Sequence, residues 1–227
     1  MEGILEKCAI FIDGGYLDSI LHKWDNFQLD YYEFTKKICA TIGVEILRVY
    51  YYNCLPIVRK MFKTTCSDCN HEFEVHFQVN ENKKLLCENC LNKKGIVIES
   101  IKYTLEQTKA DQKRRDEKER FYNKLKRLPR FEVKYGELQI IKGEFKQKGV
   151  DVLMSLDIVD KCFDKQIQHA IIIAGDADFI PAIKKAKDYG AIVHLFCNKN
   201  KVNNKLLFEA DEVHELTFSF VQNLKKE

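Results

Sequence analysis

No apolar stretch in these 227 residues approaches the ~18 that a bilayer-crossing helix needs, so no membrane partner is expected. No secretory leader is expected either. Met1 to Lys7 mixes acidic, apolar and basic residues and runs straight into Cys8-Ala9-Ile10-Phe11-Ile12, with no long apolar centre or small-residue cleavage site. The expected location is cytoplasmic. Charge of one sign is not in excess, because 37 Lys and Arg face 34 Asp and Glu for a net +3. Any site for a polyanion must therefore come from local clustering. Proline is scarce, at three, and there is no internal repeat or low-complexity tract.

Cysteine is not scarce. There are nine, an odd number that argues against an evenly paired disulfide scaffold. Cys8, Cys39, Cys54, Cys162 and Cys197 lie among apolar residues and are expected to be reduced core thiols. The other four form two Cys-x-x-Cys pairs. With 45% hydrophobic residues the chain can bury a sizeable core, and its length suits one domain with an insertion or two small domains.

Two short apolar runs end in acidic residues. Cys8–Ile12 is followed by Asp13-Gly14-Gly15, and Ala170–Ala174 by Gly175-Asp176-Ala177-Asp178. Runs without polar alternation predict strands buried on both faces, hence a parallel sheet. Further strands are expected at Glu45–Tyr52, Phe131–Tyr135 and Ala191–Phe196. Helical periodicity fills Tyr31–Ile42, Val150–Phe163 and Phe179–Tyr189, the last stopping at Gly190. In Val150–Phe163 the apolar set Val150, Leu153, Met154, Leu156, Ile158 and Val159 repeats around a largely buried face. Strands alternating with helices give an α/β fold with a doubly wound sheet.

Residues 64–103 break this rhythm. The stretch is polar, carries both cysteine pairs, and predicts a hairpin with one strand at Glu74–Val79 and a turn at Asn80–Asn82. It reads as a module inserted between 1–63 and 104–227. After it, Lys109–Arg127 has nine basic residues against four acidic, and neither Gly nor Pro. That predicts a helix with a basic face. Lys113, Arg114 and Arg115, with Lys148 further on, are candidate nucleic-acid contacts, although such runs are often only solvated helix.

Cys66-x-x-Cys69 and Cys87-x-x-Cys90 are separated by seventeen residues. Two thiolates on each tight knuckle can complete a tetrahedral site, and the spacing suits structural Zn²⁺. So small a module lacks the core to fold alone, and metal would supply the missing stability. His71 and His76 are weaker ligand candidates.

Asp13, Asp176 and Asp178 fall at strand ends, where open α/β sheets bind ligands, and Asp151 stands where a loop enters a helix. Each alone could be a helix cap. Together, four carboxylates ask for a hard cation, Mg²⁺ or Mn²⁺, of the kind that supports attack of water on a phosphodiester. Asp157, six residues after Asp151, points about 120° away on a helix and is expected to pair or cap instead.

In order, the chain carries Phe11-Ile12-Asp13-Gly14-Gly15-Tyr16-Leu17, Tyr50-Tyr51-Tyr52-Asn53-Cys54, Lys148-Gly149-Val150-Asp151-Val152 and Ala174-Gly175-Asp176-Ala177-Asp178-Phe179-Ile180-Pro181. Gly190-Ala191-Ile192-Val193 and Ala210-Asp211-Glu212-Val213 follow. This set resembles the NYN domain, in the LabA-like branch of the PIN-like nuclease superfamily, over everything except the cysteine insertion. The resemblance implies a PIN-like three-layer α/β/α fold and metal-dependent ribonuclease chemistry. It implies Asp13, Asp151, Asp176 and Asp178 as catalytic, metal-binding acids, with single-stranded or structured RNA as partner; a homodimer is compatible with it. The pattern departs at Tyr16, where many members carry Asn. A phosphatase of the haloacid dehalogenase type would need Asp at position 15, where Gly15 stands. A dinucleotide-binding loop would need Gly-x-Gly-x-x-Gly after the first strand. The remaining alternative is an RNA- or protein-binding adaptor that cleaves weakly or not at all.

Overall fold

The computed structural model describes residues 5–58, 61–75, 84–95, 105–141 and 144–226, with the side chains of 105–107, 137–141 and 144–148 left out. The chain divides into two compact units, Met1–Leu55 with Phe121–Glu227, and Pro56–Arg120. The larger begins with strand β1 (Lys7–Asp13), helices α1 (Gly14–Lys23) and α2 (Tyr31–Ile42), and strand β2 (Glu45–Cys54). The smaller holds β3 (Phe62–Thr65), β4 (Glu72–Val75), α3 (Glu88–Lys93) and most of α4 (Leu105–Lys126). Next come β5 (Phe131–Ile141), β6 (Glu144–Lys148), α5 (Val150–Phe163) and β7 (His169–Ile173). A 3-10 turn at Ala177–Phe179 precedes α6 (Ile180–Asp188), β8 (Ile192–Cys197), α7 (Asn204–Leu207), β9 (Glu212–Glu215) and α8 (Phe218–Val221).

The sheet of the larger unit runs β6-β5-β2-β1-β7-β8-β9. Among the described residues six neighbouring strands of this sheet are parallel, and β6 runs antiparallel to β5. The two unalternating apolar runs become β1 and β7, which lie side by side with Ile10 against Ile171 and Phe11 against Ile172. They are buried on both faces because helices cover both. One layer of core gathers Ile10, Ile12, Leu17, Phe34, Ile38, Tyr51 and Ile171; the other gathers Phe11, Tyr52, Met154, Ile158, Ile172, Ile183 and Leu195. Each such side chain contributes roughly 1.5–3 kcal/mol on leaving water. The result is a three-layer α/β/α architecture of PIN-like form.

From β1 the chain builds outward to β2 and β5, then returns to β7 on the other side of β1 and builds outward again. The crevice beyond the carboxyl ends of β1 and β7 is therefore the switch point at which such sheets bind ligands.

Several expectations shift. Helix α5 spans Val150–Phe163 as its periodicity predicts, but it buries a narrower stripe of Val150, Met154, Ile158 and Cys162. Leu153 and Leu156, expected on the buried face, are exposed instead. The strand expected at Phe131–Tyr135 continues to Ile141 because β6 pairs with its second half. In the smaller unit the hairpin lies earlier than expected. Glu72–Val75 pairs with Phe62–Thr65 around the first cysteine knuckle, Thr65 opposite Glu72. Residues 76–83, the rest of the expected strand and its turn, and with them His76, lie outside the described residues. Cys8, Cys39, Cys54, Cys162 and Cys197 are buried, with Cys8 and Cys39 Sγ 3.4 Å apart.

Candidate functional site

Asp13 is the last residue of β1 and also the N-cap of α1, its Oδ1 accepting the Tyr16 N–H at 3.0 Å. Asp176 repeats the arrangement beyond β7, its Oδ1 accepting the Asp178 N–H at 3.1 Å. Both are caps, but capping does not use up a carboxylate, which offers about four lone pairs. Asp151 is the second residue of α5 and is exposed, as are Asp176 and Asp178.

These groups share one electrostatic environment. Burial pushes the Asp13 carboxyl up to about 6; the N–H groups of Tyr16 and Gly15 oppose this, and the charges of Asp151 and Asp176 add to it. Asp151 is pushed up in turn, by desolvation first and then by Asp176 and Asp178. The loop ends of β1 and β7 and the start of α5 thus place Asp13 within electrostatic reach of Asp151 and Asp176, and Asp151 within reach of Asp176 and Asp178. Their spacing is open: no three of the four place carboxylate oxygens within 4.8 Å of one another. That donor set, all hard oxygen and mutually repelling, fits a Mg²⁺-like ion, which binds through one or two carboxylates and retains waters.

Two glycines beside these acids allow close packing. A Cβ at Gly14 would lie 2.5 Å from Cζ of Tyr51, and one at Gly175 would lie 2.3 Å from Cε2 of Tyr16 and 2.5 Å from the Lys201 carbonyl oxygen. Tyr16 thus packs against the turn that carries Asp176, and its hydroxyl accepts the Asn198 N–H at 2.9 Å. Burial pushes that hydroxyl above the usual tyrosine range.

Asp157 takes no part. It accepts the Tyr52 hydroxyl at 2.7 Å and pairs with Lys134 at 2.7 Å. Sequence reasoning missed three residues nearby. Asp18, one and a half turns along α1, accepts from the Tyr51 hydroxyl and from Asn53 Nδ2, both at 3.4 Å, and Asn53 is buried. Lys201 donates to the Ser19 carbonyl at 2.7 Å, and desolvation with the nearby Lys23 charge lowers its ammonium below the usual lysine value. The only local signal for Asp18 was its place five residues after Asp13; Lys201 had none.

In the smaller unit, the sulfurs of Cys66, Cys69, Cys87 and Cys90 all lie within 4.8 Å of one another. Cys69 and Cys87 Sγ are 3.5 Å apart, close to the ~3.8 Å edge of a tetrahedron of Zn–S bonds. The Cys87 N–H donates to Cys66 Sγ at 3.2 Å. Burial pushes the Cys66 thiol up, but the N–H groups of Cys87, Asp68 and Cys69 outweigh it and bring it to about 6. His71 is exposed and outside the set.

On α4, Lys113 and Arg114 are exposed, Arg114 lying 3.8 Å from Asp111. Arg115 is engaged, bonding Glu119 and the Pro56 carbonyl, each at 3.2 Å. The Lys148 side chain lies outside the described residues. Among the described residues no helix is long and apolar enough to cross a membrane.

A mainly parallel sheet flanked by helices, with acids beyond the carboxyl ends of β1 and β7, sets the fold class and the candidate site. Residues 7–217 match the NYN domain family, and the chain belongs to it. Members of this PIN-like family are generally nucleases. The crystal structure of a protein of unknown function, VPA0982 from Vibrio parahaemolyticus, shares the fold with a TM-score of 0.59 at 16% identity, over 97% of this chain and 99% of that one. The uncharacterized protein y4oD of Sinorhizobium fredii is 34% identical over 58 residues, 26% of this chain. The match spans about a quarter of that relative's length (27%).

Proposed function

We propose that the chain is a LabA-like NYN endoribonuclease that cuts RNA at the crevice formed by Asp13, Asp151, Asp176 and Asp178. The observation that carries this is the shared field of the four acids, with Asp13 pushed up by burial and by the charges of Asp151 and Asp176. Four carboxylates held together at a ligand-binding sheet end hold a divalent cation better than they hold one another. Mg²⁺ or Mn²⁺, held by these acids, would supply an activated water and neutralise charge on the phosphate. The chain's own contribution is placement. The caps to Tyr16 and Asp178 fix Asp13 and Asp176 on rigid strand ends, and Gly175 with Tyr16 sets the height of the Asp176 turn. Lys113 and Arg114 grip phosphates without reading bases.

The four-cysteine set is proposed as a structural zinc site. Four thiolates close the tetrahedron, so it has no open position for chemistry. A second reading, an adaptor that binds RNA with little cleavage, draws on Tyr16, whose hydroxyl is committed to the Asn198 N–H. Incubating the purified chain with single-stranded and structured RNA in Mn²⁺, then in EDTA, decides between them. Cleavage that EDTA abolishes supports the nuclease; binding without cleavage in Mn²⁺ supports the adaptor.

A further inference from the structure

The edge of the parallel sheet carries a chain of histidines outside the aspartate crevice. His194 of β8 stands opposite Glu212 of β9, and Phe196 opposite His214. Side chains two apart on a strand share a face, so His194, Glu212 and His214 lie on one side of the sheet, with the His214 ring stacked on Phe196 at 4.4 Å. Three ligand atoms meet there. His194 Nδ1 is 3.2 Å from Glu212 Oε2 and 3.4 Å from His214 Nε2, and His214 Nε2 is 3.4 Å from the same Glu212 oxygen.

That near-equilateral triangle has the size a tetrahedral ion requires. Ligands 2.0–2.1 Å from zinc at tetrahedral angles stand about 3.3 Å apart, and the ion then sits ~0.7 Å above their plane. A carboxylate paired to imidazolium needs no third atom at that distance.

The protons agree. His169 Nε2 lies 2.7 Å from Glu6 Oε2, and an ionised carboxylate only accepts, so that nitrogen carries the hydrogen. In neutral His169 the Nδ1 is then the acceptor, 2.8 Å from His194 Nε2, which must donate. Neutral His194 is left with a lone pair on Nδ1, aimed at a carboxylate oxygen. A lone pair facing a carboxylate calls for a cation between them. Glu6–His169–His194 is, moreover, the carboxylate–imidazole support that orients metal-bound histidines.

We propose that His194 Nδ1, Glu212 and His214 Nε2 form a second transition-metal site, selective for Zn²⁺-like ions, that ties the four-residue edge strand β9 to β8. Two imidazoles and one carboxylate suit a borderline divalent ion over Mg²⁺. Glu212 is exposed, which leaves the fourth position to water.

The test is a Co²⁺ titration of the full chain in excess Mg²⁺, which occupies the all-oxygen crevice. The thiolate site reports through a sulfur-to-cobalt charge-transfer band; the proposed site adds visible d–d absorption without it, and slows amide exchange in β9. The expected result is two equivalents in the parent chain. Glu212→Gln and His214→Gln, both at solvent-reachable positions, should each bind one, with the charge-transfer band intact. Glu6→Ala should weaken the second equivalent by roughly 10–100-fold. A parent chain that binds only the thiolate equivalent overturns the proposal, and so does a second equivalent unchanged in both Gln variants.

Discussion

Tyr16 occupies the space that a side chain at position 175 would need, its Cε2 lying 2.3 Å from where a Cβ on Gly175 would stand. The ring of α1's first turn is thereby the floor of the turn that presents Asp176. On its other side that turn meets the Lys201 carbonyl, which cannot swing away as a side chain could. Gly175→Ala should therefore cost about 1–3 kcal/mol of stability through overpacking. It should also lower Mn²⁺-dependent cleavage, because Asp176 is displaced. Urea denaturation and a cleavage assay check both; a parent-like midpoint would mean that the turn is free to move.

Asp13 makes a prediction with a definite sign. Its folded value of about 6 lies above the ordinary 3.8, so the folded chain binds this proton more tightly than the unfolded one. The charged form is therefore a cost, absent below pH 4 and fully present above pH 6. Asp13→Asn keeps the cap and removes that cost. In EDTA the variant should gain on the parent as pH rises from 4 to 7, levelling near 3 kcal/mol at ~1.4 kcal/mol per pKa unit. Denaturation midpoints across that range measure it, and a pH-independent difference would contradict the burial of this carboxyl.

Much of this was legible because it is local. Cys8–Ile12 and Ala170–Ala174 could only be two-faced strands, and each hands its last turn to an aspartate. What escaped is non-local. The second half of β5 is a strand only because β6 pairs with it, and Leu153 and Leu156 look like core until α5 is seen to use one stripe. Asp18 gains meaning through Tyr51 and Asn53, more than thirty residues away. The histidine triangle joins strands with no motif between them, so nothing in the order of residues announces it.

For the cysteine set, Cys87→Ser should lose about one tightly bound zinc per chain and loosen the smaller unit. The larger unit should be spared, because its core lies in residues 7–55 and 121–221. Elemental analysis with hydrogen exchange reads both. Absence of zinc from the parent protein would remove the structural-zinc proposal.

On the basic helix, Lys113→Ala with Arg114→Ala should weaken RNA binding and flatten its salt dependence by about 0.7 in log–log slope per lost phosphate contact. Cleavage at saturating RNA should hardly change, since these side chains act on binding. Arg115→Ala should instead loosen α4, because that guanidinium holds Glu119 and the Pro56 carbonyl. An unchanged slope in the double variant would make α4 an ordinary solvated helix.

The most direct test is RNA cleavage in Mn²⁺ by Asp13→Asn and Asp176→Asn, each confirmed to fold. Each removes one ligand charge from the crevice while keeping a side chain that can cap. The account predicts a fall of roughly 10²-fold or more in both, as loss of several kcal/mol of charge stabilisation requires. Parent-level cleavage by both variants would contradict it.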